Sequence, residues 1–268
     1  MPIQHVAVDC EDCCIAHHWS VNNIDDLADV VALVIAGASF HAEAVIADIV
    51  GRQPRLGTAI DAAISKLYIP PAIEKLEKQP VWHRDGLLFQ AISWVAAHLQ
   101  KSNTEIIADP HVIKAHKGLD GLLLNFDNDS VCLTIFEDKA GDPDDLIHKI
   151  MKEFRDLESN ESYKSEEILQ GAVALLRMHR PPGWEDMIYD SFWLKNRNYR
   201  ASLATLHSHC TEDGAKALFN NFSKSVQGEL TRRLGHVMGT DNVRAFFRSF
   251  AALVITKLNE RKATEEAA

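Results

Sequence analysis

The stretch GLDGLLLNFDNDSVCLTIFEDKA, residues 118–140, decides the fold of this chain. It contains two short apolar runs, GLLLNF and VCLTIF, which are separated by the polar turn DNDS. Runs of this length and composition around a polar turn predict a β-hairpin. Because both runs are almost continuously apolar, we expect the two faces of the hairpin to be buried by other elements.

Charged residues lie at the open end of this hairpin. A turn centred between Asn128 and Asp129 places Asp120 opposite Glu137, so that their Cβ atoms lie roughly 4.5–5.5 Å apart on one face. Lys139 shares that face, because side chains alternate along a strand. A shift of the turn by one residue would destroy this register.

The two carboxylates in this register suit a hard divalent cation. Mg²⁺ or Mn²⁺ prefers oxygen ligands and often uses one or two carboxylates, so Asp120, Glu137 and the carbonyl of Asp138 are the predicted ligands. Lys139 would lie beside the metal, where its ammonium contacts a phosphate and helps to position or deprotonate an attacking water. The set predicts metal-assisted phosphodiester hydrolysis. A salt-bridged strand end with a solvated Lys139 is the alternative.

Helical patterns surround the hairpin. In the segment 85–100, for example, apolar residues recur at steps of three and four and give one apolar face. The chain is therefore predicted to be α/β or α+β, with few strands enclosed by helices, and to begin with a helical region over 1–80. The predicted helices lie within 22–78 and at 85–100, 143–158, 165–179, 213–235 and 241–262, and a further strand is predicted at 199–206.

Composition excludes several classes of protein. The 268 residues carry a formal net charge of −10, which argues against a basic coat for nucleic acid or anionic lipid. The longest apolar run, 30–38, has nine residues, whereas a membrane span needs roughly twenty. The N-terminus lacks the basic region of a secretory signal. No P-loop or dinucleotide fingerprint occurs, so any ATP dependence must come from a partner.

Five cysteines without framework spacing indicate a reduced, cytoplasmic protein. The cluster Cys10-x-x-Cys13-Cys14, followed by His17-His18, contains zinc-type ligands. Structural zinc sites usually separate their two ligand pairs by about a dozen residues, whereas the gap here is three. Ordinary buried thiols are therefore the favoured interpretation, and zinc remains open.

The succession of Asp120, a strand and Glu137-x-Lys139 resembles the PD-(D/E)XK superfamily of restriction-endonuclease-like nucleases. The core of that superfamily is a mixed sheet flanked by helices in the order αβββαβ, and the resemblance covers about residues 84–210. It implies that Asp120 and Glu137 bind metal and that Lys139 is the catalytic lysine. It also implies a nuclease-like domain over 81–268.

One feature of the superfamily is missing. Its members often add a Glu from the helix before the sheet, whereas the corresponding helix here offers Gln90, with Asp85 at its N-terminal end. This departure favours one metal over two. Gln90 is a candidate substrate-binding residue, as are His116 and Lys117, for which a polar strand entry is the equal alternative.

Within the superfamily, the segments LLFQAISWVAA, HKGLDGLLL and FEDKA look most like the nuclease subunit of the bacterial Hachiman antiphage defence system. This resemblance implies a DNase that a partner helicase restrains until it meets aberrant DNA, with the region 1–80 binding that partner or regulating the enzyme. A chain of charge −10 would bind DNA poorly alone, so the partner would deliver the substrate. The alternative is a catalytically inert endonuclease-fold scaffold or interaction subunit.

Overall fold

The computed structural model describes residues 1–38, 42, 45–46, 55–110, 119–127, 130–159, 164–179, 186 and 197–267. The strands of this part of the chain are β1 (Ile3–Val8), β2 (Ile15–Val21), β3 (Glu105–Ile107), β4 (Gly121–Asp127), β5 (Ser130–Ala140), β6 (Arg197–Leu206) and β7 (Arg233–Thr240). Its α-helices are α1 (Ile24–Ile35), α2 (Thr58–Leu67), α3 (Pro71–Leu76), α4 (Lys78–Gln100), α5 (Pro143–Glu158), α6 (Ser165–His179), α7 (Glu212–Phe219), α8 (Phe222–Ser225) and α9 (Val243–Glu266). The predicted α/β class is confirmed.

The strands form one mixed sheet of seven in the order β1-β2-β7-β6-β5-β4-β3. The four central strands, β2, β7, β6 and β5, are parallel, and antiparallel strands lie outside them on both sides. Because parallel strands share a direction, the carboxyl ends of these four meet at one edge of the sheet. The charged end of β5 lies at that edge.

The predicted hairpin is formed by β4 and β5 in the predicted register. Gly121 pairs with Phe136, and Asp127 pairs with Ser130. One step beyond the last pair, this register sets Asp120 opposite Glu137. β5 continues past the hairpin to Ala140, where it is held on its other side by β6.

The helix after the hairpin begins where the sequence predicts it. The side chain of Asp142 accepts a hydrogen bond from the backbone N–H of Asp144 at 3.3 Å, and Pro143 occupies the first helical position. A side-chain acceptor at the cap and a proline that needs no N–H partner both favour a helix start. The direction in which the chain leaves β5 is thereby fixed next to Lys139.

The predicted helical region 1–80 is wrong for its first 21 residues. Residues 3–8 and 15–21 form the β1–β2 hairpin, and β2 joins the sheet beside β7. The side chains of Ile3 and Trp19 are buried, whereas their neighbour Gln4 is exposed. The histidines and cysteines of this segment interrupt the alternation of apolar and polar residues that would predict strands. Their burial in the structure is not evident from the sequence.

The predicted helix over 213–235 is also wrong in its C-terminal part. The helices α7 and α8 end by residue 225, and the chain then forms β7. Gly235 explains why this strand packs closely: a Cβ there would lie 2.7 Å from the ring of Phe219 and 2.8 Å from Sγ of Cys14. The glycine that weakens the strand pattern in the sequence permits this close approach.

The hydrophobic core is divided by the sheet and not at residue 80. The cluster on one face joins Leu27 of α1 to Phe89 of α4 and Phe247 of α9, and the cluster on the other face is built around α5, α6 and α7. The helix α4 itself runs across the predicted boundary between residues 80 and 81. Within the described part of the chain, no helix is long and apolar enough to span a membrane.

Candidate active site

The three residues singled out by the motif meet at the end of β5. The Nζ atom of Lys139 lies 3.3 Å from Oδ2 of Asp120 and also donates to Oε1 of Glu137. The side chains of Asp120 and Glu137 are only 7% and 3% exposed, whereas that of Lys139 is 27% exposed. The structure therefore gathers two recessed carboxylates around one partly accessible ammonium.

Asp120 is held in place from two directions. The backbone N–H of Asp138 donates to Oδ2 of Asp120 at 2.7 Å, and the side-chain amide of Gln90 donates to its Oδ1. Gln90 comes from α4, which packs along β5. The structure thus brings Gln90 into the site, at the position where the sequence lacks a glutamate.

Lys164 is a fourth charged residue of the site, and sequence reasoning missed it. Its Nζ atom lies 3.1 Å from Oε2 of Glu137 and 2.5 Å from Oε2 of Glu153. It is 5% exposed and lies just before α6. No motif marks it, because the contact joins residues 27 positions apart across two elements. Glu137 is therefore bonded by ammonium groups at both of its carboxylate oxygens.

Burial and neighbouring charges together set the pKa values of these groups. Burial, and after it the charge of Glu137, raises the pKa of Asp120 above its ordinary value. Burial alone would lower the pKa of the Lys139 ammonium, but the neighbouring carboxylates of Asp120 and Glu137 raise it above the ordinary value. Lys139 is consequently a cation at neutral pH in this arrangement, and it would act on a substrate through its charge.

The side chain of Asp138 faces the opposite side of the sheet. Its Oδ1 atom lies 3.8 Å from Nη2 of Arg200, and both side chains are almost completely buried. Burial raises the pKa of Asp138 to about 6, although Arg200 opposes this shift. The carboxylate of Asp138 therefore takes no part in the group around Lys139, and its predicted ligand role is restricted to the backbone carbonyl.

A cavity of about 400 Å³ opens onto this group. Its lining includes Asp120, Gln90 and Lys139 together with Lys149 of α5 and Arg244 of α9. A volume of this size is in the range of small-molecule and cofactor sites. The cavity gives a ligand access to the ammonium of Lys139 from solvent.

The donor set fits a hard divalent cation. Among the described residues, no three His, Cys, Asp or Glu side chains converge as a metal site, and this includes the cysteines and histidines of 10–18. Two carboxylates that are completed by backbone oxygen and water are, however, a common arrangement for Mg²⁺. Asp120 and Glu137 are such a pair: burial, and after it the charge of Glu137, raises the pKa of Asp120, and a neighbouring positive charge opposes this shift. Lys139 supplies that charge here, so a metal would compete with its ammonium.

Two predicted substrate-binding residues are not placed. His116 and Lys117 lie outside the described residues, in the segment that precedes Leu119. Their predicted contact with phosphate therefore stays a prediction.

Gln90→Glu is expected to make the stability of the chain depend on divalent metal. The substitution replaces a hydrogen-bond donor to Asp120 with a carboxylate, which removes one of the donors to a recessed acid and adds repulsion, at a cost of about 1–3 kcal/mol. We expect a lower melting temperature in chelator, and a larger rise on adding Mg²⁺ than the wild type shows. Gln79→Glu, an exposed change on the same helix, is the control. Equal melting temperatures in chelator and an equal response to Mg²⁺ would contradict this account of the site.

Comparison of the chain with models of protein families, with curated proteins and with solved structures found no match.

Proposed function

We propose that this chain is a metal-dependent DNA nuclease of the PD-(D/E)XK type that acts in the cytoplasm. The observation that carries the proposal is the meeting of Asp120, Glu137 and Lys139 at the end of a buried hairpin. Apolar strand ends rarely gather charged groups in this way without a reason. Perturbed ionisable groups that line a cleft are candidates for a functional site.

The order of the elements supports the same proposal. Between residues 78 and 206 the described chain runs through α4, the strands β3, β4 and β5, the helices α5 and α6, and then β6. β6 lies parallel to β5, and β5 is antiparallel to β4. This order resembles the αβββαβ succession of the restriction-endonuclease-like core, with α6 as an additional helix before β6 and with the candidate residues at the second and third strands.

Each side chain has a role in the proposed hydrolysis. Asp120 and Glu137 would hold the divalent ion, which supplies Lewis-acid activation of the phosphate when it is bound. Gln90 and the N–H of Asp138 keep Asp120 oriented through the hydrogen bonds described above. The ammonium of Lys139 would stabilise the negative charge that develops on the phosphate oxygens, because it lies in a recessed site of low dielectric.

We further propose that a helicase partner restrains this nuclease, as in the Hachiman defence systems whose nuclease subunit the sequence resembles. The net charge of −10 disfavours unaided binding to DNA. Large apolar side chains are exposed in the N-terminal region: Ile24 is 36% exposed and Leu76 is 82% exposed. Such side chains would suit contact with another protein.

The competing hypothesis is an inert scaffold on the same fold. The amide of Gln90, at the position where the superfamily often has a glutamate, is the observation that favours it. A scaffold needs no divalent metal, so metal-dependent chemistry separates the two hypotheses.

The test is cleavage of supercoiled plasmid by the full chain in Mg²⁺, in Mn²⁺ and in chelator, with and without a co-purifying ATPase and ATP. We expect nicked and linear products only where metal is present. Glu137→Gln should reduce cleavage to the level seen in chelator, because it removes one of the two anionic ligands.

The chain supplies a matched control for this experiment. A second Glu-x-Lys sequence, Glu260-Arg261-Lys262, lies in α9, and the side chain of Glu260 is 62% exposed. Glu260→Gln should cleave like the wild type. Wild-type cleavage by folded Glu137→Gln would refute the proposed active site. Absence of cleavage under every condition would favour the scaffold.

A further inference from the structure

An unpartnered indole lies at the mouth of the candidate active site. Trp82, in the N-terminal part of α4, lines the same cavity as Lys139 and Asp120 and is 52% exposed. Among the residues that the structure describes, no aromatic ring or cation stacks on it. Large aromatic side chains contribute much of their stabilisation through burial, so an indole left this exposed beside a cleft calls for a ligand.

Two cations besides Lys139 line the cavity together with Trp82. Lys149 is exposed and has no carboxylate partner in the described part of the chain. Arg244 is held by Oδ2 of Asp85 at 2.5 Å and by the carbonyl of Ala140 at 3.4 Å. Asp85 also pairs with Arg84, and Glu74 is shared by Arg84 and Arg248. Two carboxylates therefore serve three guanidinium groups and cannot neutralise all of them. Part of the charge of Arg244 thus remains available to an anion.

The balance of charge in the cavity limits what it can accept. Asp142 and Asp145 also line it, and their negative charges interrupt the positive surface. The cations of the cavity can therefore contact a few phosphates but not a long stretch of DNA backbone. A duplex presents its phosphates densely along two strands, which an acidic chain would bind poorly. The volume of about 400 Å³ is that of a small-ligand site, and the carboxylate of Asp120 lies recessed inside it. A scissile phosphate must therefore enter the cavity on a strand that can bend away from its partner.

We propose that this cavity binds a single-stranded segment of DNA, with one base stacked on Trp82 and with phosphates beside Arg244, Lys149 and Lys139. The inference rests on the proposed nuclease function and names its substrate class. Stacking on an exposed indole requires an accessible base face, which an unpaired base offers and an internal base pair does not. Base stacking on aromatic side chains is tolerant of sequence, so we expect little preference among bases.

The test measures, by fluorescence anisotropy at low salt in chelator, the binding of a labelled single-stranded oligonucleotide and of its blunt duplex. The full chain carrying Glu137→Gln is the parent, so that no cleavage interferes. We expect Trp82→Ala to weaken single-strand binding by about ten-fold, because it removes one stacking contact. Trp82→Phe should keep most of the affinity. Tyr68→Ala, which removes an exposed aromatic residue outside this cavity, should change nothing.

Three results would overturn the inference. They are a parent that does not bind the single strand, equal single-strand affinities of Trp82→Ala and Tyr68→Ala, and a Trp82→Ala variant that loses as much duplex binding as single-strand binding. The proposed function is judged separately by plasmid cleavage. Plasmid cleavage together with DNA binding that does not depend on Trp82 would refute the single-strand site and support the nuclease. Binding that depends on Trp82, without cleavage, would support the single-strand site and refute the nuclease.

Discussion

Lys139→Met is expected to reduce metal-dependent DNA cleavage by about a hundred- to a thousand-fold, the usual cost of removing one group that stabilises transition-state charge. Lys139 contacts both Asp120 and Glu137, and its side chain is the most exposed of the three. It is therefore the member of the group that can reach a substrate phosphate. Methionine keeps much of the length of the side chain and removes the ammonium, with its charge and its hydrogen-bond donors.

Metal binding separates this effect from a damaged site. The ammonium of Lys139 competes with a cation for Asp120 and Glu137, so calorimetry should show that Lys139→Met still binds Mg²⁺, at least as tightly as the wild type. Lys262→Met, which removes the lysine of the second Glu-x-Lys sequence and an exposed ion pair with Asp61, is the matched control. Cleavage by Lys139→Met within ten-fold of the wild type would exclude a catalytic role for this lysine.

Local sequence was sufficient to predict the hairpin and its charged end. The runs before and after the DNDS turn are apolar enough to fix both strands, and the turn fixes which residues pair. The register of Gly121 with Phe136 then brings Asp120 and Glu137 together without further information. The start of the helix at Pro143 is also predictable from local sequence, because the residues of its cap and its first turn are consecutive.

The rest of the site depends on contacts between distant segments. Lys164 lies 3.1 Å from Glu137 although 27 positions separate them in the sequence, and no residue near Lys164 signals this contact. The strands β1 and β2 escaped detection because His17, His18 and the cysteines before them suggested metal ligands and interrupted the apolar pattern. Their assignment to the sheet depends on pairing with β7, more than 200 residues away.

The other contact that sequence reasoning could not supply lies behind the candidate active site. Arg200 of β6 is 3% exposed, bonds the hydroxyl of Ser93 and lies 3.8 Å from Asp138. Its guanidinium carbon is 3.4 Å from the centre of the Phe136 ring. Burial lowers the pKa of Arg200 to about 10, opposed by Asp138, so it remains charged at neutral pH. This buried cation therefore links α4, β5 and β6 directly behind Glu137 and Lys139.

Arg200→Met is expected to lower the free energy of unfolding by about 3–5 kcal/mol, because it removes one partner of a buried ion pair and forces Asp138 to take up a proton or stay charged without compensation. Urea denaturation at neutral pH would measure the loss. Asp138→Asn should also destabilise the chain, since it leaves the guanidinium unpaired. The double variant should lose less than the sum of the two single losses, because the residues act as a pair.

Arg248→Met provides the contrast that makes this result interpretable. Its ion pair with Glu74 is at the surface, with the arginine side chain 62% exposed, so its loss should cost less than about 1 kcal/mol. A small effect of Arg200→Met, or strict additivity with Asp138→Asn, would mean that the pair does not stabilise the end of β5. The expected coupling would instead mean that the middle residue of Glu137-Asp138-Lys139 anchors the strand from behind, while Lys139 remains at the cavity and bonded to Glu137.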